Sequence, residues 1–154
     1  MDANIVFIVL TSDVKSRIVC ELAEKCYLSD KRVVIYSKQV EECKKIDTLL
    51  WTWKQNSFIP HIYIDELSAA HREPIIVTTK INTLEDYDTL ILMDPLPLKD
   101  ISQFGLVIDF AEKYDSHALA ESRERFKIYR DKMINIETMQ PGEFLHSYPL
   151  PITS

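Results

Sequence analysis

Asn4-Ile5-Val6-Phe7-Ile8-Val9-Leu10, followed by Thr11-Ser12-Asp13-Val14-Lys15, is the stretch that decides the fold. The first seven residues carry no charge and are rich in β-branched side chains, the pattern of a strand buried on both faces. Ser12 or Asp13 is placed to cap a helix running to about Leu28. In that helix Ile18, Leu22 and Cys26 recur every four residues, while Lys15, Glu21 and Lys25 are left for solvent. The junction between strand and helix contains no glycine, and the chain has only two, Gly105 and Gly142. A phosphate-cradling loop needs glycine so that backbone amides approach the anion closely and reach positive φ. With neither GxGxxG nor GxxxxGK[ST] present, nucleotide binding of the familiar kinds is disfavoured.

Outward from this unit the alternation continues. Arg32 to Tyr36 (RVVIY) reads as a second strand, and a helix from about Lys38 to Trp51 places Val40, Cys43, Ile46 and Leu50 on one face. An irregular segment, Thr52 to Asp65, is punctuated by Pro60. Ile75–Thr78, Thr89–Met93 and Leu106–Phe110 read as three more strands, and a long helix spans about Ser116 to Met133. Aliphatic strands alternating with amphipathic helices predict a three-layer α/β/α domain over residues 1–140. Its sheet is expected to be mainly parallel with about five strands, Rossmann-like but without a phosphate-binding loop. Residues 141–154 hold three of the seven prolines and are expected to form a poorly packed C-terminal tail.

Composition narrows the function classes. The 154 residues are 46% hydrophobic, enough for one domain with its own core. Lys and Arg number 18 against 24 Asp and Glu, a formal net charge of −6. A protein neutralising many phosphates leans basic, so strong direct nucleic-acid binding is not expected. Cys20, Cys26 and Cys43 are odd in number and form no CxxC pair, which suits a reducing compartment. No basic leader and no apolar run of bilayer length is present, so the expected setting is the cytoplasm, without membrane attachment.

No catalytic constellation emerges. His61, His71, His117 and His146 pair neither with one another nor with a cysteine at metal-ligand spacing, so neither metal nor cofactor is assigned. There is no GxSxG elbow, and Cys20 sits among Ile18, Val19 and Leu22 as a buried thiol. Asp94 ends the fourth strand but precedes Pro95, as turn formers do. An enzyme or nucleotide binder of this architecture would use the strand C-terminal ends, here Thr11, Ser12, Asp13 and Asp94. That is the alternative reading.

The last helix carries more. At about 100° per residue, Ala118, Ser122, Tyr129 and Met133 form the core stripe, with Leu119 and Phe126 at one edge. Just beyond them stand Arg123, Lys127 and Arg130. Solvated i,i+4 pairs such as Lys127 with Asp131 and Glu121 with Arg125 explain such charges in part. Solvated charges of this kind are the simpler reading of the helix; the other is a groove for an acidic peptide with an apolar anchor, since guanidinium groups grip carboxylates bidentately and an adjacent aromatic edge accepts a hydrophobic side chain. A second cluster, Trp51-Thr52-Trp53 with Phe58, Ile59, Pro60 and His61, concentrates aromatics at a helix end and the following loop, which suits an interaction surface and equally the covering of a sheet edge.

These segments resemble, in order and spacing, the chi subunit family of the bacterial DNA polymerase III holoenzyme. The resemblance rests on Val19-Cys20-Glu21-Leu22-Ala23, Lys31-Arg32-Val33-Val34-Ile35, Asp47 to Trp51 (DTLLW), Ser57 to His61 (SFIPH), Val107-Ile108-Asp109-Phe110 and Arg123 to Arg130 (RERFKIYR). It covers about residues 4–135. It implies a nucleotide-binding type of fold that has lost its phosphate loop, no enzymatic activity of its own, and two partners. One is the acidic C-terminal tail of single-stranded DNA-binding protein. The other is the psi subunit, which connects to the clamp loader.

By the same resemblance, Arg123 matches the arginine that holds the tail's terminal carboxylate. Trp51 and Phe126 line the pocket for its final phenylalanine, and Lys127 and Arg130 add positive potential. Phe126 stands where a tyrosine is usual. Leu119 stands where the family often has a lysine one turn earlier, if one extra residue is accepted between Tyr114 and Ala120. Phe58, Ile59, Pro60 and His61 match a family motif near the partner surfaces, with psi as the candidate occupant.

Overall fold

The computed structural model describes residues 4–53, 59–64, 72–81, 86–132 and 134–150. The opening stretch forms β1 (Asn4–Leu10) and α1 (Lys15–Leu28), followed by β2 (Val33–Tyr36), α2 (Val40–Trp51) and β3 (His61–Ile64). Next come β4 (Ile75–Thr78), β5 (Thr89–Leu92), the short α3 (Leu98–Ile101) and β6 (Leu106–Glu112). The chain continues through α4 (Ser116–Asp131), β7 (Asn135–Met139) and α5 (Pro141–Ser147). One seven-stranded sheet runs in the order β3-β4-β2-β5-β6-β1-β7. Every pairing is parallel, and β1 is gripped on both sides, Ile5 opposite Val107 of β6 and Ile136 of β7.

Alternation along β1 divides the core. Val6, Ile8 and Leu10 join α1, α2 and α5 on one face, with Cys20, Cys43, Leu50 and Phe144 in the same apolar cluster. Ile5 and Phe7 face the other side, among Val107, Ile101, Phe104 and Tyr129. The layers are therefore α1, α2 and α5 over one face and α3 and α4 over the other, the three-layer arrangement expected.

The sheet has seven strands rather than about five, because both edges escaped the aliphatic pattern. β3 lies inside the segment read as irregular, directly after Pro60, and its two central residues are half-buried. β7 reads Asn-Ile-Glu-Thr-Met and is largely exposed, so no continuous apolar run marks it. Helix ends differ too. Neither Ser12 nor Asp13 caps α1; its N-cap is Val14, with no side-chain cap. At its C-terminus, Asp30 takes a left-handed conformation (φ 61°). The Lys31 amide bonds Cys26 O at 2.9 Å and the Asp30 amide bonds Tyr27 O at 3.1 Å, a Schellman closure made without glycine.

The expected loose tail is corrected as well. Pro141 at the first turn suits a helix start, since its missing N–H needs no partner there. α5 then buries Phe144 completely beneath α1. Lys25 of α1 donates to the carbonyls of Phe144 and Tyr148 at the helix's end, and Tyr148 stacks on Phe144 with ring centroids 4.8 Å apart. This strap packs against α1 and β1.

Candidate functional site

α4 is anchored before it is decorated. The Asp115 carboxylate caps it, accepting from the amides of His117 and Ala118 at 3.0 and 3.1 Å. Ser122 and Tyr129 are buried as the core stripe, and Ala118 is half-buried; Met133 lies outside the described residues. Phe126 and Tyr129 both pack on Phe7 of β1, at 5.7 and 5.8 Å between ring centroids. Leu119 and Phe126 are half-buried at one flank, and Arg123, Lys127 and Arg130 stand exposed beside them.

The side-chain contacts along the helix are not the two pairs expected. Lys127 contacts Glu124 at 3.6 Å rather than Asp131, and Glu121 takes His117 at 3.0 Å rather than Arg125. Arg125 turns to the opposite flank and grips the buried Asp109 of β6 bidentately, at 2.8 and 3.0 Å. The Tyr129 hydroxyl donates to the same carboxylate at 3.1 Å. Burial works against the Arg125 charge, but the Asp109 carboxylate outweighs it and holds the guanidinium above its ordinary value. The Tyr129 phenol is pushed up by burial first and by the Asp109 charge second. Among the described residues, Arg123 and Arg130 have no ion-pair partner. The flank thus presents two uncompensated guanidinium groups beside an apolar edge.

The crevice over the strand C-terminal ends, about 420 Å³, is built differently. Lys15 lies across it, donating to Met93 O at 2.7 Å and pairing with Glu112 at 2.9 Å. Asp94 accepts from the Ser37 hydroxyl and the Lys38 amide, each at 2.8 Å, and so ties β5 to β2. Thr11, Ser12 and Asp13 form an exposed loop. Lys15, Asp94, Asp109, Glu112 and Arg125 each bond to another protein group and tie neighbouring elements together, while Lys38, Glu42 and Lys45 also line the crevice. Among the described residues no three His, Cys, Asp or Glu converge as a metal site.

Trp51 does not join the α4 flank. It is the last residue of α2, which packs on the opposite face of the sheet from α4. Its indole is 57% exposed and meets the His61 ring edge-on at 4.8 Å. His61 is clasped at both ring nitrogens, Nδ1 by Ile59 O at 2.7 Å and Nε2 by Asp47 O at 3.1 Å and Asp47 Oδ1 at 3.2 Å. Ile59 is buried and Pro60 half-buried; Phe58 lies outside the described residues. The structure thus places Trp51 and Phe126 on elements that cover opposite faces of the sheet, Phe126 on the α4 flank and Trp51 at a corner with Ile59, Pro60 and His61. The reason is topological: the β2-to-β3 and β6-to-β7 connections cross opposite faces.

Residues 2–137 match the family described as DNA polymerase III chi subunit, HolC. The chain belongs to the DNA polymerase III chi subunit family. It is 32% identical over 128 residues to DNA polymerase III subunit chi of Haemophilus influenzae, covering 81% of this chain and 86% of that one. The Escherichia coli subunit chi is 28% identical over 122 residues, 79% of this chain and 82% of the relative. Among solved structures, T4 UvsW superimposes with a TM-score of 0.58 at 14% identity, over 91% of this chain and 42% of that one, a likeness of fold alone. The chi-family match includes α4 and the Trp51 corner and stops within β7, so α5 lies beyond it. Sequence reasoning missed the Asp109–Arg125–Tyr129 cluster. Its one signal was an Asp in the otherwise apolar run Leu106–Phe110.

Proposed function

We propose that this chain is a non-catalytic, cytoplasmic adaptor of the replisome. It binds the acidic C-terminal tail of single-stranded DNA-binding protein and links it through psi to the clamp loader. The observation that carries this reading is the α4 flank: Arg123 and Arg130, uncompensated, with Lys127, beside the half-buried Leu119 and Phe126 on a chain of net charge −6. Guanidinium groups steer an acidic peptide to the flank and grip its terminal carboxylate, while the apolar edge receives its last aromatic ring. Phe126 lacks the usual tyrosine hydroxyl and Leu119 replaces a lysine, so recognition here leans on apolar burial and on Arg123, Lys127 and Arg130.

The corner formed by Trp51, Ile59, Pro60 and His61 serves psi in this reading. Its position on the other face of the sheet lets both partners bind at once. Affinity for the tail is expected to be micromolar, about −8 kcal/mol. Fluorescence polarisation with a labelled acidic peptide ending in Pro-Phe tests the reading. Binding by the free acid and not by its C-terminal amide is expected. Equal binding of both would reduce the flank to generic charge attraction, and no binding by either would remove the claim.

A further inference from the structure

Asp109 is 2% exposed, in the middle of a parallel sheet, and takes no part in the proposed contacts with the tail. A carboxylate so placed is costly unless paired. Both of its oxygens are engaged by α4, Oδ2 by Arg125 Nε and the Tyr129 hydroxyl and Oδ1 by Arg125 Nη2; Oδ1 also accepts from the Phe110 amide of its own strand at 2.7 Å. Arg125 also donates to Phe110 O at 3.3 Å. On the helical wheel Tyr129 lies in the core stripe and Arg125 to one side of it, while Phe126, Leu119 and Arg123 lie to the other side. Two positions four residues apart, both bonded to one strand residue, fix the rotation of a helix about its axis.

The connection continues by contact to the recognition edge. The Tyr129 ring packs on Phe7, and Phe7 packs on Phe126. We infer that Asp109, acting through Arg125 and Tyr129, is a positioning residue that sets the roll of α4 and so the placement of Phe126 and Arg123 for an acidic peptide. The inference rests on the tail-binding reading. Asp109, Arg125 and Tyr129 do not touch the peptide; they determine where the groups that touch it stand.

Tyr129→Phe removes the hydroxyl and leaves the ring on Phe7, so it is the decisive variant. With the free-acid peptide in fluorescence polarisation, we expect about fivefold weaker binding at a temperature where thermal denaturation shows the variant fully folded. Combined with Arg123→Ala, the loss should fall short of the product of the two single losses, because both act on the same contact. Asp109→Asn should weaken binding further; if it fails to fold, Tyr129→Phe still decides. Wild-type affinity in folded Tyr129→Phe, or full multiplicativity with Arg123→Ala, would overturn the positioning role while leaving the tail reading intact. Failure of the wild-type chain to prefer the free acid over the amide would remove the tail reading, and the positioning role with it.

Discussion

The crevice over the strand ends and the outer flank of α4 are both rich in charge, yet they differ in what the charges do. In the crevice Lys15 holds Glu112 and Met93 O, and Asp94 holds Ser37 and Lys38; beside it Arg125 holds Asp109. On the flank Arg123 and Arg130 are left without a partner among the described residues, next to Phe126 and Leu119. Satisfied charges stabilise a fold, and uncompensated ones beside an apolar edge attract a ligand. What sets the flank apart is the apolar edge of Leu119 and Phe126 beside its guanidinium groups.

This contrast breaks most visibly at Asp109. Asp109→Ala strands the partly buried Arg125 guanidinium and should cost about 3–5 kcal/mol of stability, read by chemical denaturation. A cost near zero would mean that the pair is no more than a surface contact. Arg123→Ala should do the converse: stability stays as it was, while peptide binding weakens by about 2 kcal/mol, measured by fluorescence polarisation.

Alkaline pH sharpens the comparison further. Burial, aided by Glu21, pushes the Cys20 thiol up to about 12, and burial followed by the Asp88 charge does the same for Cys26. Unfolded thiols ionise from about pH 9 while these stay protonated, so the unfolded chain binds fewer protons there. Stability is accordingly full below about pH 9 and falls as pH rises toward 12, which denaturation curves at a series of pH values will show. The smallest effect belongs to Trp51→Ala, which should shift peptide affinity by less than about 0.5 kcal/mol because Trp51 lies across the sheet from α4. A tenfold loss would restore the shared pocket.

The continuous aliphatic runs of β1, β2, β4, β5 and β6 made the parallel sheet legible, since strands buried on both faces leave little room for polar residues. The edges were not legible, because β3 and β7 bury less and carry His61, Tyr63, Glu137 and Thr138. α5 is not legible because Pro141 and Pro149 bracket a helix of only seven residues, and nothing local reveals that Phe144 is buried beneath α1. On α4, helical periodicity put Leu119, Phe126, Arg123, Lys127 and Arg130 on one flank, and the structure keeps them there. Periodicity within one helix says nothing about what lies opposite another helix. The pairing of Trp51 with Phe126 comes from the family resemblance, and their connections cross different faces of the sheet; the Glu121–Arg125 pair follows from i,i+4 spacing, whereas the partner of Arg125 is Asp109 on β6.

The most direct measurement of the central claim is chemical-shift mapping of the isotope-labelled chain titrated with the free-acid peptide. The predicted result is a set of perturbations centred on Leu119, Arg123, Phe126, Lys127 and Arg130, with the resonances of Trp51 and His61 unmoved. Perturbations confined to the Trp51–His61 corner, or to Lys15, Ser37 and Asp94 in the crevice, would contradict it.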